Sequence, residues 1–325
     1  MTAPLRVAVT GAAGNIAYSL IWMLANGDCF GDRPIILQLL EITPALTKLQ
    51  GVIMELDDSA NPRVHGVIGT DDPRVAFEGA DVAFLVGSRP RTADMNRSDL
   101  IRANGPIFVG QGQALDAVAS RDVKVCVVGN PCNTNALIAQ RSAKGLDPAC
   151  FTAMTRLDHN RALGQLARKV GVPVTEVQDV GVWGNHSDKM YPDTTRATIG
   201  CDPASSKIDA AWLRGEFMTT VATRGKAVIN ARGASSAASA AQAAVDHVRD
   251  WMYGSQGRIV SMAISSRGQY GVPAGLIYSY PCITHAGGQV DVVEGWPVDD
   301  LCRAKIDENV AELESERVAV ADLLG

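Results

Sequence analysis

The first 130 residues alternate between short apolar runs and stretches with helical periodicity. The clearest apolar runs are residues 5–10 and 35–40, and both are almost continuously apolar rather than alternating. Continuous apolarity predicts strands of a parallel sheet that is covered on both faces. Residues 81–86 and 123–128 have the same character, and residues 64–68 form a weaker example.

Helices are predicted between these strands, at residues 15–26, 46–58 and 98–120, the last with a glycine-containing interruption. Regular alternation of strand and helix is typical of βαβ units with right-handed crossovers. The first part of the chain is therefore predicted to be an α/β domain with a parallel sheet.

The pattern changes after about residue 150. The predicted elements there are a helix (157–169), a strand (174–182), two alanine-rich helices (208–231 and 235–253), β-rich segments (259–264, 276–281 and 290–293) and an amphipathic helix (299–324). This mixture indicates a second, α+β domain. We place the boundary near residue 151, which gives domains of residues 1–151 and 152–325.

A glycine-rich turn follows the first predicted strand. It reads Gly11-Ala12-Ala13-Gly14-Asn15-Ile16-Ala17, which has the form G-x-x-G-x-x-A between a strand and a helix. In that context the motif predicts a dinucleotide-binding sheet of the Rossmann-type, doubly wound class. Gly11 permits the tight turn, Gly14 lets the backbone approach a pyrophosphate, and the helix N-terminus offers free N–H groups.

Further cofactor contacts are predicted where the other strands end. Glu41 ends the second strand, where a carboxylate can accept hydrogen bonds from ribose hydroxyls and would repel a 2′-phosphate, so NAD is favoured over NADP. Gly87 and Val128-Gly129-Asn130 close the fourth and fifth strands. Ligands gather at the carboxyl ends of such strands.

Candidate proton chemistry lies in the second domain. Asp158 and Arg161 are three residues apart and would share one face of a helix. The guanidinium can hold an anionic substrate by a two-pronged contact, and the carboxylate can orient a histidine and favour its protonated form. His186, in Gly184-Asn185-His186-Ser187, is the best candidate for that histidine. The competitors are His65, His159, His247 and His285.

A polar segment at residues 88–96 leaves the sheet where the reactive ring of the cofactor is expected. It carries Arg89 and Arg91, and Arg97 follows it. Such a loop can close over a substrate and exclude water. A solvated surface loop is the alternative.

Composition narrows the class further. The chain has 325 residues, 46% of them hydrophobic, and a net charge of −5, which disfavours nucleic acid and anionic membranes as partners. Its apolar runs fall short of the roughly 20 residues that span a bilayer. With no signal-peptide pattern at the start, we expect an intracellular protein. The seven cysteines lack a C-x-x-C pair, which argues against a disulfide framework and a zinc site and favours buried free thiols.

Together these motifs resemble the lactate/malate dehydrogenase family, and within it the cytosolic-type malate dehydrogenases. The segments that carry the resemblance are 11–17, 128–131, 156–161, 184–187 and 231–241. The likeness covers nearly the whole chain. It implies reversible NAD-dependent oxidation of (S)-malate to oxaloacetate in the cytoplasm, and a homodimer. The small residues of 233–241 suit a tight helix–helix or subunit contact.

The resemblance also implies residue roles. His186 would take the hydroxyl proton and Asp158 would hold it, while Arg161 would bind the carboxylate next to the reacting carbon. Arg97 would polarise the carbonyl in the reverse reaction. Arg91 would bind the distal carboxylate. Asn130 would contact substrate and nicotinamide, and Asn104 and Gln111 match positions near the cofactor.

Two departures from the family pattern concern the loop and the adenosine pocket. Residues 92–96 lack the expected glycine-rich sequence, and the segment after Glu41 is about two residues short. Two alternatives stay open: another 2-hydroxyacid dehydrogenase, such as a lactate dehydrogenase, and a non-catalytic NAD-sensing module.

Overall fold

The computed structural model describes residues 3–89 and 97–325. The chain divides into two compact units. The first consists of Met1–Ala153, Ala237–Val248 and Ser315–Gly325, and the second of Met154–Ser236 and Arg249–Glu314. We predict a single boundary near residue 151, which assigns Ala237–Val248 and Ser315–Gly325 to the second domain. In the structure these two segments belong to the first unit.

The first unit is built on a parallel sheet. Among the described residues its strands are β1 (Leu5–Thr10), β2 (Ile35–Leu40), β3 (Val64–Thr70), β4 (Val82–Leu85), β5 (Lys124–Val127) and β6 (Phe151–Ala153). Their order is β6-β5-β4-β1-β2-β3, and each neighbouring pair is parallel. This is the doubly wound order, in which the strand sequence reverses between β1 and β4. The predicted Rossmann-type α/β class is confirmed.

Helices connect the strands of this sheet: α1 (Asn15–Ala25), α2 (Leu46–Asp58), α3 (Pro73–Phe77), α4 (Arg97–Val118) and α5 (Cys132–Ser142). Strands β1, β2 and β4 are almost continuously apolar and buried, whereas β3 is only partly buried at the edge of the sheet. Continuous apolarity in the sequence thus corresponds to a doubly covered sheet. We did not predict α3, α5 or the short strand β6.

The predicted interruption of the helix at 98–120 is wrong, because α4 is continuous from Arg97 to Val118. Gly112 serves close packing rather than a break. A Cβ added at Gly112 would lie 2.3 Å from the carbonyl oxygen of Ala139 on α5. A helical glycine costs only about 1 kcal/mol relative to alanine, so packing can outweigh it.

The second unit mixes helices with short antiparallel sheets. Its main helices are α6 (Arg156–Val170), α7 (Ala204–Lys207), α8 (Ala210–Trp212) and α9 (Met218–Arg232), with a π-helical turn at Leu213–Phe217 between the last two. The short strands are β7 (Val177–Gln178), β8 (Gly181–Trp183), β9 (Tyr191–Asp193), β10 (Thr198–Ile199) and β11 (Asp202–Pro203). Strands β8 and β9 pair as an antiparallel hairpin. The strand predicted at 174–182 is therefore only partly correct: Val174–Glu176 is a 3-10 turn, and Asp179 has a positive φ of 57° that breaks the extended run.

The remaining strands are β12 (Val260–Ser265), β13 (Ile277–Thr284) and β14 (Val290–Val292), which pair antiparallel in that order. The last two long helices are α10 (Ala238–Tyr253) and α11 (Asp300–Ala319), and α11 ends before the predicted residue 324. Trp183, Trp251 and Tyr278 are fully buried in one core cluster of this unit. The predicted mixed α+β character of the C-terminal part is confirmed.

Two sequence expectations concern side chains spread over the whole chain. All seven cysteines lie in the described residues and are free, and six of them are buried while Cys201 is exposed. Near the start of α10, Ala237, Ala240 and Ala241 are buried, whereas Ala238 is exposed. The small size of the three buried alanines suits close packing within the chain. No helix in the described part of the chain is both long and apolar enough to cross a membrane.

Candidate active site

The turn after β1, residues 11–14, is called the glycine turn, and its backbone conformation requires glycine at position 11. Gly11 has a φ of 64°, and a Cβ added there would lie 2.6 Å from the Cα of Gly87. The N–H of Gly87 donates to Thr10 Oγ1 at 3.0 Å, so the ends of β1 and β4 approach closely. Gly14 precedes the first residue of α1 and has no side chain to cap it. The N–H groups of that first turn are thus available for an anionic group such as a pyrophosphate.

Glu41 lies beside this turn at the carboxyl end of β2. Its Oε2 accepts a hydrogen bond from the N–H of Ala13 at 3.0 Å, and its Oε1 accepts one from the N–H of Ile42 at 2.9 Å. The carboxylate is only partly buried. It can therefore also accept hydrogen bonds from ribose hydroxyls, and its charge disfavours a 2′-phosphate.

The structure places further predicted cofactor residues on α4 and at the end of β5. Asn104 is fully buried, and its Oδ1 accepts from the N–H of Arg89 at 2.7 Å. Gln111 is also buried, and among the described residues its Oε1 has no hydrogen-bond partner. An unpartnered buried oxygen costs free energy unless a bound group supplies a donor. The glycine turn fits the pyrophosphate of a dinucleotide, and the role of Gln111 near the cofactor stays a prediction from the resemblance.

The sequence interpretation missed Asn135, one turn into α5. Its Nδ2 donates to the carbonyl oxygen of Gly129 at 2.8 Å and so holds the backbone of the predicted contact residues Val128-Gly129-Asn130. The peptide bond between Asn130 and Pro131 is cis. Because we did not predict α5, the sequence offered no signal that Asn135 would return to this strand end.

The predicted proton-transfer residues of the second unit lie together. Asp158 Oδ2 and His186 Nδ1 are 2.5 Å apart, and Asp158 Oδ1 is 3.3 Å from Arg161 Nη1. Asp158 and Arg161 share one face of α6, as their three-residue spacing requires. Each oxygen of the carboxylate thus serves a different partner.

The side chains of Asp158, Arg161 and His186 are buried to different extents. Asp158 is 2% exposed, Arg161 13% and His186 19%. Burial lowers the pKa of the Arg161 guanidinium from its usual value, and Asp158 opposes that shift while Arg224 adds to it. Arginine nevertheless stays charged at neutral pH. The set therefore offers a cation for an anionic group and a histidine whose Nδ1 is already held.

The other histidines have different surroundings. His159 is buried on α6 with Nδ1 2.9 Å from Ser261 Oγ, and His247 is buried with Nε2 2.9 Å from Thr152 Oγ1. The sequence interpretation assigned no partner to His285, but its Nε2 lies 2.9 Å from Asp291 Oδ2. That pair is exposed.

Two predicted substrate residues cannot be placed. Arg91 lies outside the described residues, as does most of the segment 88–96. Arg97 is the first residue of α4, but its side chain is not part of the description. Their roles stay predictions from sequence.

The first unit has a doubly wound sheet with the glycine turn after β1 and a glutamate after β2, and the second unit has a histidine–aspartate–arginine set. These features define an NAD-dependent dehydrogenase. Two family models agree with this class. The one described as the lactate/malate dehydrogenase NAD binding domain matches residues 5–151, and the one described as the alpha/beta C-terminal domain matches residues 155–323. The chain belongs to the lactate/malate dehydrogenase family, and its cofactor is NAD.

Solved structures are similar over nearly the full chain. A malate dehydrogenase from Naegleria fowleri is 44% identical, with 99% of each chain covered and a TM-score of 0.96. A Trichomonas vaginalis lactate dehydrogenase in complex with NADH and oxamate is 38% identical, covers 98% of this chain and 99% of its own, and has a TM-score of 0.95. A malate dehydrogenase from Salinibacter ruber, at 24% identity, 98% coverage of each chain and a TM-score of 0.82, shares the fold.

Proposed function

We propose that this enzyme catalyses the reversible NAD-dependent oxidation of (S)-malate to oxaloacetate. The observation that carries the proposal is the contact of His186 Nδ1 with Asp158 Oδ2 at 2.5 Å, next to the Arg161 guanidinium. A base for a hydroxyl proton and a cation for a carboxylate are the two groups that oxidation of a 2-hydroxy acid needs. The likeness to a Naegleria fowleri malate dehydrogenase supports malate as the substrate.

The mechanism uses His186 as the proton acceptor. Because Nδ1 is held by Asp158, the C2 hydroxyl proton goes to Nε2. Asp158 fixes the ring orientation and stabilises the imidazolium that forms. Arg161 binds the carboxylate next to C2 by charge-assisted hydrogen bonds, each worth about 1.5–3 kcal/mol. NAD, when bound, supplies the acceptor for the hydride that leaves C2.

Substrate choice is assigned to Arg91. Its guanidinium would pair with the distal carboxylate of oxaloacetate or malate. A substrate without that carboxylate would leave the charge unpaired in a closed pocket, and unpaired buried groups discriminate strongly. This reasoning supports a dicarboxylic substrate, and Arg97 is assigned the polarisation of the carbonyl in the reverse reaction.

Lactate dehydrogenase activity is the second candidate. It is favoured by the Trichomonas vaginalis lactate dehydrogenase, which is 38% identical over almost the full chain. Family membership favours catalysis over the non-catalytic NAD-sensing alternative. The two dehydrogenase activities differ only in the second carboxylate of the substrate.

Absorbance of NADH separates the candidates directly. We expect rapid oxidation of NADH with oxaloacetate and slow oxidation with pyruvate. Equal or faster turnover of pyruvate would contradict the malate proposal.

NADPH in place of NADH tests Glu41, and we expect it to be the poorer reductant.

Replacing Arg91 tests the specificity residue. Arg91→Gln is expected to lower kcat/KM for oxaloacetate by about 10- to 150-fold, because one charge-assisted contact worth about 1.5–3 kcal/mol is lost, and to change kcat/KM for pyruvate much less. Steady-state kinetics with both substrates measures the ratio. Equal losses with both substrates would remove Arg91 from the specificity role.

Assembly as a homodimer and a cytoplasmic location are further proposals that follow from the resemblance. Sedimentation at micromolar protein concentration is expected to give twice the 34.4 kDa chain mass. A monomer that turns over at the full rate would contradict the dimer.

A further inference from the structure

The segment that carries His186 is held by two side chains of α11. It runs from residue 184 to 189 directly after β8. Asn309 and Glu312 lie one turn apart on α11, so both can face the same segment. Neither was singled out by the sequence, where α11 reads only as an amphipathic helix.

Glu312 ties together the two neighbours of His186 in the chain. Its Oε2 accepts a hydrogen bond from Asn185 Nδ2 at 2.8 Å and another from Ser187 Oγ at 2.6 Å. Hydrogen bonds to a carboxylate are shorter and roughly twice as strong as neutral ones. A single oxygen thus fixes the chain on both sides of the imidazole.

Asn309 holds the backbone of the same segment. It is fully buried, and its Oδ1 accepts from the N–H of Asn185 at 2.8 Å while its Nδ2 donates to the carbonyl oxygen of Lys189 at 2.8 Å. Gly184 has a φ of 100°, and a Cβ there would lie 2.1 Å from Asn309 Oδ1. Glycine at 184 therefore makes room for Asn309.

We propose that Glu312, supported by Asn309, is a positioning residue for His186. The proposal rests on the proton role proposed for His186. The ring must meet Asp158 on one side and the substrate hydroxyl on the other, so the position of its Cα matters. A displacement of about 1 Å can cost about 100-fold in rate, even when the change lies outside the reacting groups.

The test compares variants at Glu312 and measures kcat and KM separately. Glu312→Ala is expected to lower kcat by about 10- to 100-fold while KM for the 2-oxo acid and the affinity for NADH stay within about threefold. Arg161 and the cofactor turn are untouched by the change. Glu312→Gln keeps a carbonyl oxygen for both donors and is expected to restore kcat to within about fivefold of wild type.

Asp307→Ala is the matched control on the same helix. It removes one negative charge, and its partner Arg303 lies at 3.1 Å in an exposed pair away from the His186 segment. Wild-type kinetics are expected for this control. If Glu312→Ala does not fold, Ser187→Ala decides the question, because it removes only one of the two donors and is expected to lower kcat by at least about threefold at constant KM.

Unchanged kcat in folded Glu312→Ala, or a Glu312→Gln variant as slow as Glu312→Ala, would overturn the positioning role. Wild-type turnover is measured first. Its absence with every 2-oxo acid would overturn the proposed function as well, whereas an active wild type with an unaffected Glu312→Ala variant would overturn only the inference about Glu312.

Discussion

Asp158 and Asp250 are both buried aspartates of the second unit, and both contact arginines, yet their surroundings differ. Asp250 is 3% exposed and lies between Arg156 Nη1 at 2.7 Å and Arg258 Nη2 at 3.0 Å. Asp158 is 2% exposed and has one arginine and one histidine as partners. Helix α6 contributes to both clusters, through Arg156 and through Asp158.

The difference lies in the second partner. Arginine does not release its proton at accessible pH, so the Asp250 cluster can only hold charge. An imidazole can accept and donate a proton, and His186 is partly exposed, so the Asp158 cluster can exchange a proton with a bound molecule. Similar buried acids thus serve stability in one place and chemistry in the other.

The largest effect is expected from replacing His186, the partner of Asp158 that can exchange a proton. His186→Asn is expected to lower kcat by at least about 1,000-fold, because the base is lost, while the affinity for NADH is kept. Stopped-flow kinetics and NADH fluorescence titration measure the two quantities. His285→Asn, in an exposed pair with Asp291, is the control and is expected to match wild type. Appreciable turnover by His186→Asn would move the proton role to another group.

Removing the acid from the other cluster tests stability instead. Asp250→Ala leaves the buried Arg156, whose side chain is 6% exposed, without its carboxylate, and is expected to cost about 3–5 kcal/mol in the free energy of unfolding. Urea denaturation measures this loss. For the fraction that stays folded, kcat is expected to remain within about tenfold of wild type. A stability equal to wild type, or complete loss of turnover in folded protein, would erase the contrast between the clusters.

The smallest effect concerns His159, which lies next to Asp158 in sequence. Burial, with help from Arg156 and Arg258, lowers the pKa of His159 well below 6.5. Below a pH of about 6.5 the unfolded chain therefore binds a proton at His159 that the folded protein does not bind. As a result, the free energy of unfolding decreases by up to about 1.4 kcal/mol for each pH unit below that value. His159→Gln removes this contribution. Its stability should fall less steeply than wild type between pH 7 and 5 in paired denaturation series, and parallel curves would exclude His159 as the cause.

The sequence pattern predicted the main elements of the first unit because strands such as β1, β2 and β4 are almost continuously apolar. The bounds of β1, β2 and α2 agree with the predicted ranges. Short elements were harder: β6 has three residues, and β7 has two. Segments of that length have no periodicity to detect, and tertiary pairing alone defines them.

The candidate site divides in the same way. The three-residue spacing of Asp158 and Arg161 indicates a shared helix face, which local geometry guarantees once α6 forms. The buried cluster around Asp250 was not predicted, because Arg156 and Asp250 are 94 residues apart. Asn309 and Glu312 were missed for the same reason, since their contacts with Asn185 span 124 and 127 residues.

The sequence by itself determined the strand–helix alternation, the glycine turn with its acid after β2, and the helical pairing of Asp158 with Arg161, because each depends on residues close in the chain. Only the tertiary structure decided that His186 contacts Asp158, from which it is separated by 28 positions in the sequence. It also decided that His159, the residue next to Asp158, contacts Ser261 instead. Neighbours on a helix diverge by about 100°. Which distant side chain fills the space beside each of them depends on the path of the folded chain.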